Sequence, residues 1–393
     1  MSRIIVLTTT YLNKPYANGV CARNIVRALR SAGHTVNVVC FEDKVIPEED
    51  IGQVCCIPKP PKRVTEENSL FRRIGRTIKA IKKPEMDEQF VDNYFNITNK
   101  LLQTKCFDVL ITMFFPIEGL EATSRIKQVY PGIKTIAYEL DSIGDGILCS
   151  VRQAVKNRSY VHWQKKVYEQ IDHIIIMKSH QVYWKKVFGK RFQRKLLVSD
   201  LPVLVQHNQS FKKIDESISM VYSGRIDSNY RSPKYLLSVL SELKKQLFFD
   251  FYFYSEGDCE TVISEAAKQN NQIHQCGYVC QGELEKALEK SDFLINLGNR
   301  TSNNVPSKLI SYISFGKPIV HFSSQKDDVC RSYLEQYPLA LIIDDSMKID
   351  EATQKLLLFV QSTKGKRLPF HFIESIFQEN SPSHSAELIT RIL

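Results

Sequence analysis

The sequence predicts an α/β fold built from two doubly wound, mostly parallel sheets. Short apolar runs alternate with amphipathic helical stretches along the chain, as in strands joined by crossover helices. The alternation restarts after Asp200-Leu-Pro-Val, which predicts two domains over 1–200 and 201–370. The length of 393 residues agrees, since domains run to about 100–200 residues.

The individual elements follow from these runs. In the first domain, strands are expected to begin at Arg3, Thr35, Asp108, Lys134, Asp172 and Lys195, with helices over Asn18–Ala32, Met86–Thr104 and Leu148–Gln170. In the second, strands are expected at 219–222, 249–254, 292–296 and 318–322, with helices around 233–246, 259–269, 282–289 and 307–314. A last amphipathic stretch, 371–393, follows a break at Arg367-Leu-Pro.

Composition excludes several classes of protein. Apolar residues make up 43% and charged residues 24%, which is ordinary for a globular chain and excludes a disordered or collagen-like one. No run approaches the roughly 18 apolar residues of a membrane span, and Ile4–Leu7 is expected to be a strand rather than a signal-peptide core. The ten cysteines are expected to be reduced core residues, with Cys276 and Cys280 packing rather than binding metal. A cytoplasmic protein is therefore expected.

Positive charge is concentrated in the first half of the chain. Residues 1–200 carry a net charge of +12, and residues 201–393 carry −2. This asymmetry indicates an anionic partner for the first half, such as nucleic acid, a membrane surface or a phosphorylated acceptor.

The densest basic run lies at 69–83 and has apolar residues at helical spacing. Its cations include Arg72, Arg73, Arg76 and Lys79. Such a helix can lie on an anionic membrane, here the inner face, or it can be a solvated helix with its apolar stripe on the core. Nucleic acid is not expected, because the run has one aromatic residue and no recognition motif is present.

Three loops after predicted strands suit a phosphate-bearing ligand. Asn18-Gly19 precedes the first helix, but the chain has no GxGxxG pattern there, so nicotinamide cofactors are not indicated. Ser223-Gly224-Arg225 is followed nine positions later by Lys234. An Arg and a Lys at one sheet edge fit a diphosphate, although two unrelated surface cations give the same pattern.

The third loop opens a short helix. Pro306 stands where a helix begins and Gly316 where it ends. Ser307 and Lys308 then lie beside free backbone amides, and Ser311 lies one turn further on the same face. A polar side chain at that position can reach a sugar hydroxyl behind the phosphates.

Taken in order, these segments resemble the GT-B glycosyltransferases of retaining family 4. The resemblance spans nearly the whole chain and rests on the segments Asn18-Gly19, Arg30–His34, Gly224–Asp227 with Lys234, Ser255–Asp258, Gly277–Val279, Glu283-Leu, Ser291–Ile295 and Val305–Val320. It implies two Rossmann-like domains facing a cleft, with the C-terminal helix 371–393 crossing back to the first. In this family the second domain holds a nucleotide sugar and the first holds the acceptor.

The resemblance also assigns roles by position. Arg225 and Lys234 would be the catalytic cations on the donor diphosphate. Donor binding would further use Asn18, Gly19, Gly224, Gly257, Tyr278, Val279, Asn303, Pro306, Ser307, Lys308, Leu309 and Ser311. Transfer would retain the anomeric configuration and move a sugar from a UDP- or GDP-linked donor to a glycan, expected to be lipid-linked.

At two positions the chain departs from the family. The family's two glutamates around the last block are Asn303 and Ser311 here. The second glutamate bonds the donor ribose, and serine offers only a shorter, uncharged bond. The alternative is therefore a degenerate GT-B-like subunit that stabilises or recruits a partner enzyme. A nucleotide-sugar 2-epimerase shares the domain plan, but its acid–base groups cannot be placed in this sequence.

The expected mechanism is front-face substitution, in which fixed cations and helix amides stabilise the leaving diphosphate. The chain has no Asp-x-Asp motif, so neither a metal nor a cofactor is expected. On the acceptor side, Glu139 and Asp141 follow a predicted strand and could orient the acceptor hydroxyl, or they could serve the loop structure alone.

Overall fold

The structure is a computed structural model of the chain. It describes residues 1–11, 17–41, 52–58, 84, 86–114, 117–141, 151–207, 217–300 and 305–393, without the side chains of 151–156. The predicted membrane residues Arg72, Arg73, Arg76 and Lys79, and the predicted donor residue Asn303, lie outside this part of the chain. Two compact units form: one is Met1–Val203 with Glu379–Leu393, and the other is Leu204–Gln378.

The first unit is built on a parallel sheet of seven strands. They are β1 Arg3–Leu7, β2 Thr35–Phe41, β3 Val54–Ile57, β4 Val109–Phe114, β5 Lys134–Glu139, β6 His173–Met177 and β7 Leu196–Ser199. Their order is β3-β2-β1-β4-β5-β6-β7. The chain order therefore reverses between β1 and β4, which is the topological switch point of a doubly wound sheet.

Six helices of the described residues pack on this sheet or its helices, and all but the last connect strands of the sheet. They are Ala17–Ser31, Glu88–Thr104, Ile117–Val129, Val151–Gln170, Gln181–Phe188 and Pro382–Arg391. The helix Ala17–Ser31 ends at Gly33, whose φ of 87° lets the amides of residues 33 and 34 close on the last turn. Asp87 caps the next helix by accepting a bond from the Phe90 amide.

The second unit repeats the plan with a parallel sheet of six strands. They are β8 Ile218–Ile226, β9 Phe249–Gly257, β10 Ile273–Gln275, β11 Phe293–Leu297, β12 Ile319–Ser323 and β13 Ala340–Asp344. Their order is β10-β9-β8-β11-β12-β13, so the switch point lies between β8 and β11. The connecting helices are Lys234–Leu243, Glu260–Gln269, Gln281–Lys290, Ser307–Ser314 and Cys330–Leu334, and Ile349–Thr363 and Phe370–Ile376 follow the last strand.

The C-terminal stretch is two helices rather than the single one expected over 371–393. Phe370–Ile376 lies in the second unit and Pro382–Arg391 in the first. The break has a local cause, since Ser381 caps the second helix and Pro382, lacking an N–H, stands in its first turn. The last helix packs on Ala17–Ser31, and Lys134 Nζ donates to the carbonyl of Ile392 at 2.5 Å.

Candidate functional site

The candidate site lies at the carboxyl edge of the second sheet, at its switch point. Ligands of open α/β sheets bind there because the helices on either side diverge and leave strand ends and helix starts exposed. Here the end of β8, the end of β11 and the start of helix Ser307–Ser314 supply the side chains.

Gly224 brings β8 close to a lysine from that helix. Its φ is 139°, and a Cβ at this position would lie 2.6 Å from Lys308 Nζ. Any larger residue would displace the ammonium group. The backbone conformation therefore requires the glycine, and any added side chain would also move the ammonium group from its place.

Lys308 is a half-buried cation with no hydrogen-bond partner among the described residues. Burial, and secondarily the positive charge of Arg231, lower its pKa to about 8, while Glu256 acts in the opposite direction. A charge that is costly to keep in the empty site is stabilised when an anion binds beside it.

Arg231 is the second cation of the site, and the sequence analysis did not identify it. Its guanidinium donates to Asn299 Oδ1 at 3.1 and 2.5 Å and to the Arg225 carbonyl at 3.3 Å. Backbone bonds with Asp227 hold its loop against the end of β8. It therefore joins the ends of β8 and β11, and its charge reaches Lys308.

The two cations predicted to be catalytic lie elsewhere on this edge. Arg225 is an exposed side chain near the end of β8, opposite Glu256 of β9 in the strand register. Lys234 is exposed at the start of helix Lys234–Leu243 and lines a cavity with Arg300. The structure records no contact between Arg225 and Lys234.

Helix Ser307–Ser314 is fixed by a buried tyrosine. Tyr312 Oη accepts a bond from the Ser223 amide at 2.8 Å and lies 2.9 Å from Ser223 Oγ. The N-cap is Pro306, whose side chain cannot cap the helix, and the amides of Ser307 and Lys308 have no acceptor in the described part of the chain, so they can bind an anion. Leu309 is fully buried and is a core residue, whereas Ser311 is half-buried.

The remaining predicted donor residues lie on the β9 and β10 side. Gly257 has a φ of 140°, and a Cβ there would meet the Ile226 carbonyl oxygen at 1.8 Å, so this glycine lets β8 and β9 end side by side. Tyr278 follows β10 with 64% of its surface exposed, and Val279 is half-buried. An exposed aromatic ring beyond a strand end offers a flat apolar face.

In the first unit, Asn18, Gly19 and Asp141 meet at the carboxyl edge of that sheet. The side chain of Asn18 bonds Asp141, whose pKa is raised by burial despite that bond. A Cβ on Gly19 would lie 2.7 Å from the carbonyl oxygen of Thr10, so the helix starts in direct contact with the loop after β1. The contact makes Gly19 a packing requirement of this edge.

Glu139, predicted to orient the acceptor, is fully buried at the end of β5. Trp184 Nε1 and Gln164 Nε2 donate to its two oxygens at 2.7 and 2.9 Å. Burial raises its pKa to about 8 in spite of these bonds. Glu139 is thus buried in the interior, and of the predicted acceptor pair only Asp141 is partly exposed at the sheet edge.

One group of described residues combines metal-binding side chains, namely His321, Asp328 and Cys330. Their polar atoms already satisfy one another, since His321 Nε2 lies 2.8 Å from Asp328 Oδ2 and the Cys330 amide donates to Asp328 Oδ1 at 2.9 Å. The pKa of Asp328 is lowered by these bonds although burial opposes them. The group is a closed hydrogen-bond network.

Among the described residues, no helix combines the length and apolar character that crossing a bilayer requires.

Comparison with known proteins identifies the fold. No protein-family model and no curated protein matches the chain. Among solved structures, Anabaena Alr3699/HepE in complex with UDP-glucose is similar, with 10% identity, 100% of both chains covered and a TM-score of 0.64. TarM is similar at 11% identity, with 100% of this chain and 97% of TarM covered and a TM-score of 0.59.

A third similar structure is the UDP-GlcNAc 2-epimerase from Methanocaldococcus jannaschii, with 10% identity, 99% of both chains covered and a TM-score of 0.56. These similarities cover nearly the full length of both chains. The expected architecture is thereby confirmed: two doubly wound parallel sheets in these strand orders give the protein the GT-B fold.

Proposed function

We propose that the protein is a glycosyltransferase that moves a sugar from a nucleotide-sugar donor to a glycan acceptor. The observation that carries the proposal is the pair of cations, Lys308 and Arg231, fixed beside Gly224 at the switch point of the second sheet. Two cations and a free helix start suit the diphosphate of such a donor. The UDP-glucose complex of the similar Anabaena protein supports a UDP-linked donor.

The proposed chemistry is transfer with retention, without a metal. As the bond from the sugar to the diphosphate breaks, negative charge collects on the leaving oxygens. Lys308, Arg231 and the amides of helix Ser307–Ser314 are already in place to stabilise that charge, so little reorganisation is needed. The exposed Arg225 can close on the same phosphates from the end of β8.

The acceptor is proposed to be lipid-linked and to meet the first unit near Asp141. That carboxyl group is half-buried at the sheet edge, where it can accept a hydrogen bond from an acceptor hydroxyl. The basic run at 69–83 would hold the protein on the anionic inner face of the membrane.

A transfer assay with radiolabelled UDP- and GDP-sugars and a membrane-extract acceptor tests the proposal. Lys308→Met, Arg231→Gln and Arg225→Ala should each lose transfer, and the matched control Lys268→Gln, an exposed cation on another helix, should keep it. Full activity of both Lys308→Met and Arg231→Gln would show that the diphosphate binds elsewhere. Identifying the sugar on the recovered donor distinguishes transfer from epimerisation, the activity named for the similar M. jannaschii enzyme.

A second function is favoured by Ser311. The Ser311 side chain makes no hydrogen bond among the described residues, and unlike the family's glutamate it offers no charged group to the donor ribose. A degenerate subunit that no longer binds a donor would tolerate this change. Calorimetry with UDP and GDP decides between the two functions, because a degenerate subunit binds neither nucleotide while remaining folded.

A further inference from the structure

A cavity of about 280 Å³ lies in the first unit, between the helices Ile117–Val129 and Val151–Gln170. Both helices run from the carboxyl edge of the sheet towards its amino edge, because each follows one parallel strand and precedes the next. The cavity lining begins at Glu121 and His162 and extends towards the ends of the two helices. This interhelical cavity therefore lies away from the carboxyl edge that carries Asp141.

One end of the interhelical cavity is fixed by a bond between the two helices. Trp163 is 6% exposed, and its Nε1 donates to Glu121 Oε2 at 2.7 Å. The other oxygen of Glu121 lies 3.5 Å from Arg125 Nε, and Arg125 also bonds Glu88 and Asp92 of the neighbouring helix. The carboxylate is held from two sides, and since a carboxylate has about four lone-pair sites, it can still accept a bond from a ligand.

At the other end a glutamine is oriented by bonds to one side of its amide. Gln170 Oε1 accepts from Ser124 Oγ at 2.7 Å and from Gln128 Nε2 at 2.9 Å. Within the described part of the chain, Gln170 Nε2 and Gln128 Oε1 have no hydrogen-bond partner. This end therefore offers one amide donor and one amide acceptor, both held in place by the bonds that the same side chains already make.

The rim of the interhelical cavity adds two donors one helical turn apart. His162 and Lys166 are exposed, and among the described residues neither has a hydrogen-bond or ion-pair partner. With the histidine neutral, Lys166 and Glu121 give the lining one charge of each sign. The apolar lining residues, Trp163 and Val167, are buried. A phosphate site would need an excess of positive charge, and a lipid site would need exposed apolar side chains.

We propose that the interhelical cavity is a carbohydrate-binding site, which holds one or two sugar residues by their hydroxyl groups. A hydroxyl group both donates and accepts hydrogen bonds, which matches this mixed lining. Sugar hydroxyls can accept from Gln170 Nε2 and Lys166 Nζ. They can also donate to Gln128 Oε1 and to the carboxylate of Glu121.

The dimensions of the interhelical cavity suit such a ligand. At about 1.5 Å per residue, the stretch of helix from Glu121 to Gln128 is roughly 10 Å long. The volume of about 280 Å³ lies just below the roughly 300–1,000 Å³ of pockets for drug-sized ligands. The site is separate from the donor site and from the proposed acceptor site. Only the further step, that the bound sugar belongs to the acceptor glycan, rests on the proposed function.

An oligosaccharide array probed with the fluorescently labelled full chain tests the proposal, and calorimetric titration with the best-bound glycan measures its affinity. Gln170→Glu keeps an oxygen for Ser124 and Gln128 but removes the two amide hydrogens, so the affinity should fall about three- to tenfold. Lys166→Met removes a charged donor and should lower the affinity by about ten- to hundredfold. Gln269→Glu, the same substitution at the exposed last residue of another helix, is the matched control and should bind as the wild type does.

Three results would overturn the proposal. The first is that the wild type binds no glycan on the array, and the second is that Gln170→Glu and Lys166→Met bind as tightly as the wild type. The third is that Asp141→Asn loses the glycan while Gln170→Glu and Lys166→Met keep it, which would place the glycan at the acceptor site. If the chain binds a glycan through Lys166 and Gln170 but binds neither UDP nor GDP, the proposed function fails and the carbohydrate site stands.

Discussion

The ammonium group of Lys308 is held against the backbone of Gly224, at a place where even a methyl group would approach it to 2.6 Å. The contact joins the helix after β11 to the end of β8, the two elements that flank the switch point. A partly desolvated cation at that position is sensitive both to pH and to any anion that enters the site.

Nucleotide binding should therefore weaken as the pH rises through about 8. The pKa of Lys308 is lowered to about 8 from 10.5, so the ammonium loses its proton in that range and no longer attracts a diphosphate. Calorimetry with UDP between about pH 7 and 9 measures this, and Lys308→Met should bind about tenfold more weakly at pH 7 with a flatter pH profile. A wild-type affinity that is constant over this range would contradict the assignment.

The effect of the same lysine on folding has the opposite sign. Because the folded state lowers its pKa, the unfolded chain binds more protons between about pH 8 and 10.5, and stability contributed by this group rises with pH there. The difference in unfolding free energy between wild type and Lys308→Met isolates that contribution from those of other groups.

Gly224→Ala should damage folding and binding together. The alanine would need a φ of 139° and would push on Lys308 Nζ, so a cost of roughly 1–3 kcal/mol is expected. Urea unfolding and UDP titration measure the two effects. Gly282→Ala is the matched control, since a Cβ there meets nothing within 4 Å and its place in a helix suits alanine, so it should not lower stability and should leave UDP binding unchanged. Equal stability of the two variants would show that the Gly224 backbone relaxes freely.

Local patterns were sufficient to predict most of the fold. The structure agrees with the predicted strand starts at Arg3, Thr35 and Lys134 and with the predicted helix Ser307–Ser314. These features could be predicted because buried apolar runs and helix ends are determined by residues close in sequence. The strands Val54–Ile57, Ile273–Gln275 and Ala340–Asp344 were not predicted. All three are edge strands, and the first two have apolar runs too short to stand out.

The site was less accessible to such reasoning because its contacts are distant in sequence. Arg231 depends on Asn299, which lies 68 positions later, and Lys308 depends on Gly224. The available signal for Arg231 was weak, namely a cation six positions after Arg225 and two positions before Pro233. The predicted pairing of Arg225 with Lys234 stays a prediction.

Glu139→Gln should remove a pH dependence of folding. Burial raises the pKa of Glu139 from 4.5 to about 8, so the folded state binds more protons than the unfolded one in that interval. Stability from this group is therefore present below about pH 4.5 and is lost as the pH rises to about 8, by an amount on the order of a few kcal/mol. Urea unfolding at several pH values should show a smaller decline in Glu139→Gln.

Glutamine is a close match in shape and can keep bonds with Trp184 and Gln164, whose Oε1 is otherwise buried without a partner among the described residues. The exposed Glu265→Gln, on helix Glu260–Gln269, serves as the control and should decline as the wild type does. An identical pH profile in Glu139→Gln and wild type would mean that Glu139 remains charged in the fold.

Tyr312→Phe should loosen helix Ser307–Ser314 from β8 and so weaken nucleotide binding. The phenol oxygen is the acceptor for the buried Ser223 amide, and its loss leaves that N–H unpaired at a cost of about 1–3 kcal/mol. Because Lys308 and the free amides belong to this helix, the affinity for UDP should fall together with the unfolding free energy. Tyr130→Phe, which removes a partly exposed bond to Asn99, should cost less than about 1 kcal/mol and leave UDP binding unchanged. Lower stability with unaltered UDP affinity in Tyr312→Phe would show that the helix start does not contribute to the donor site.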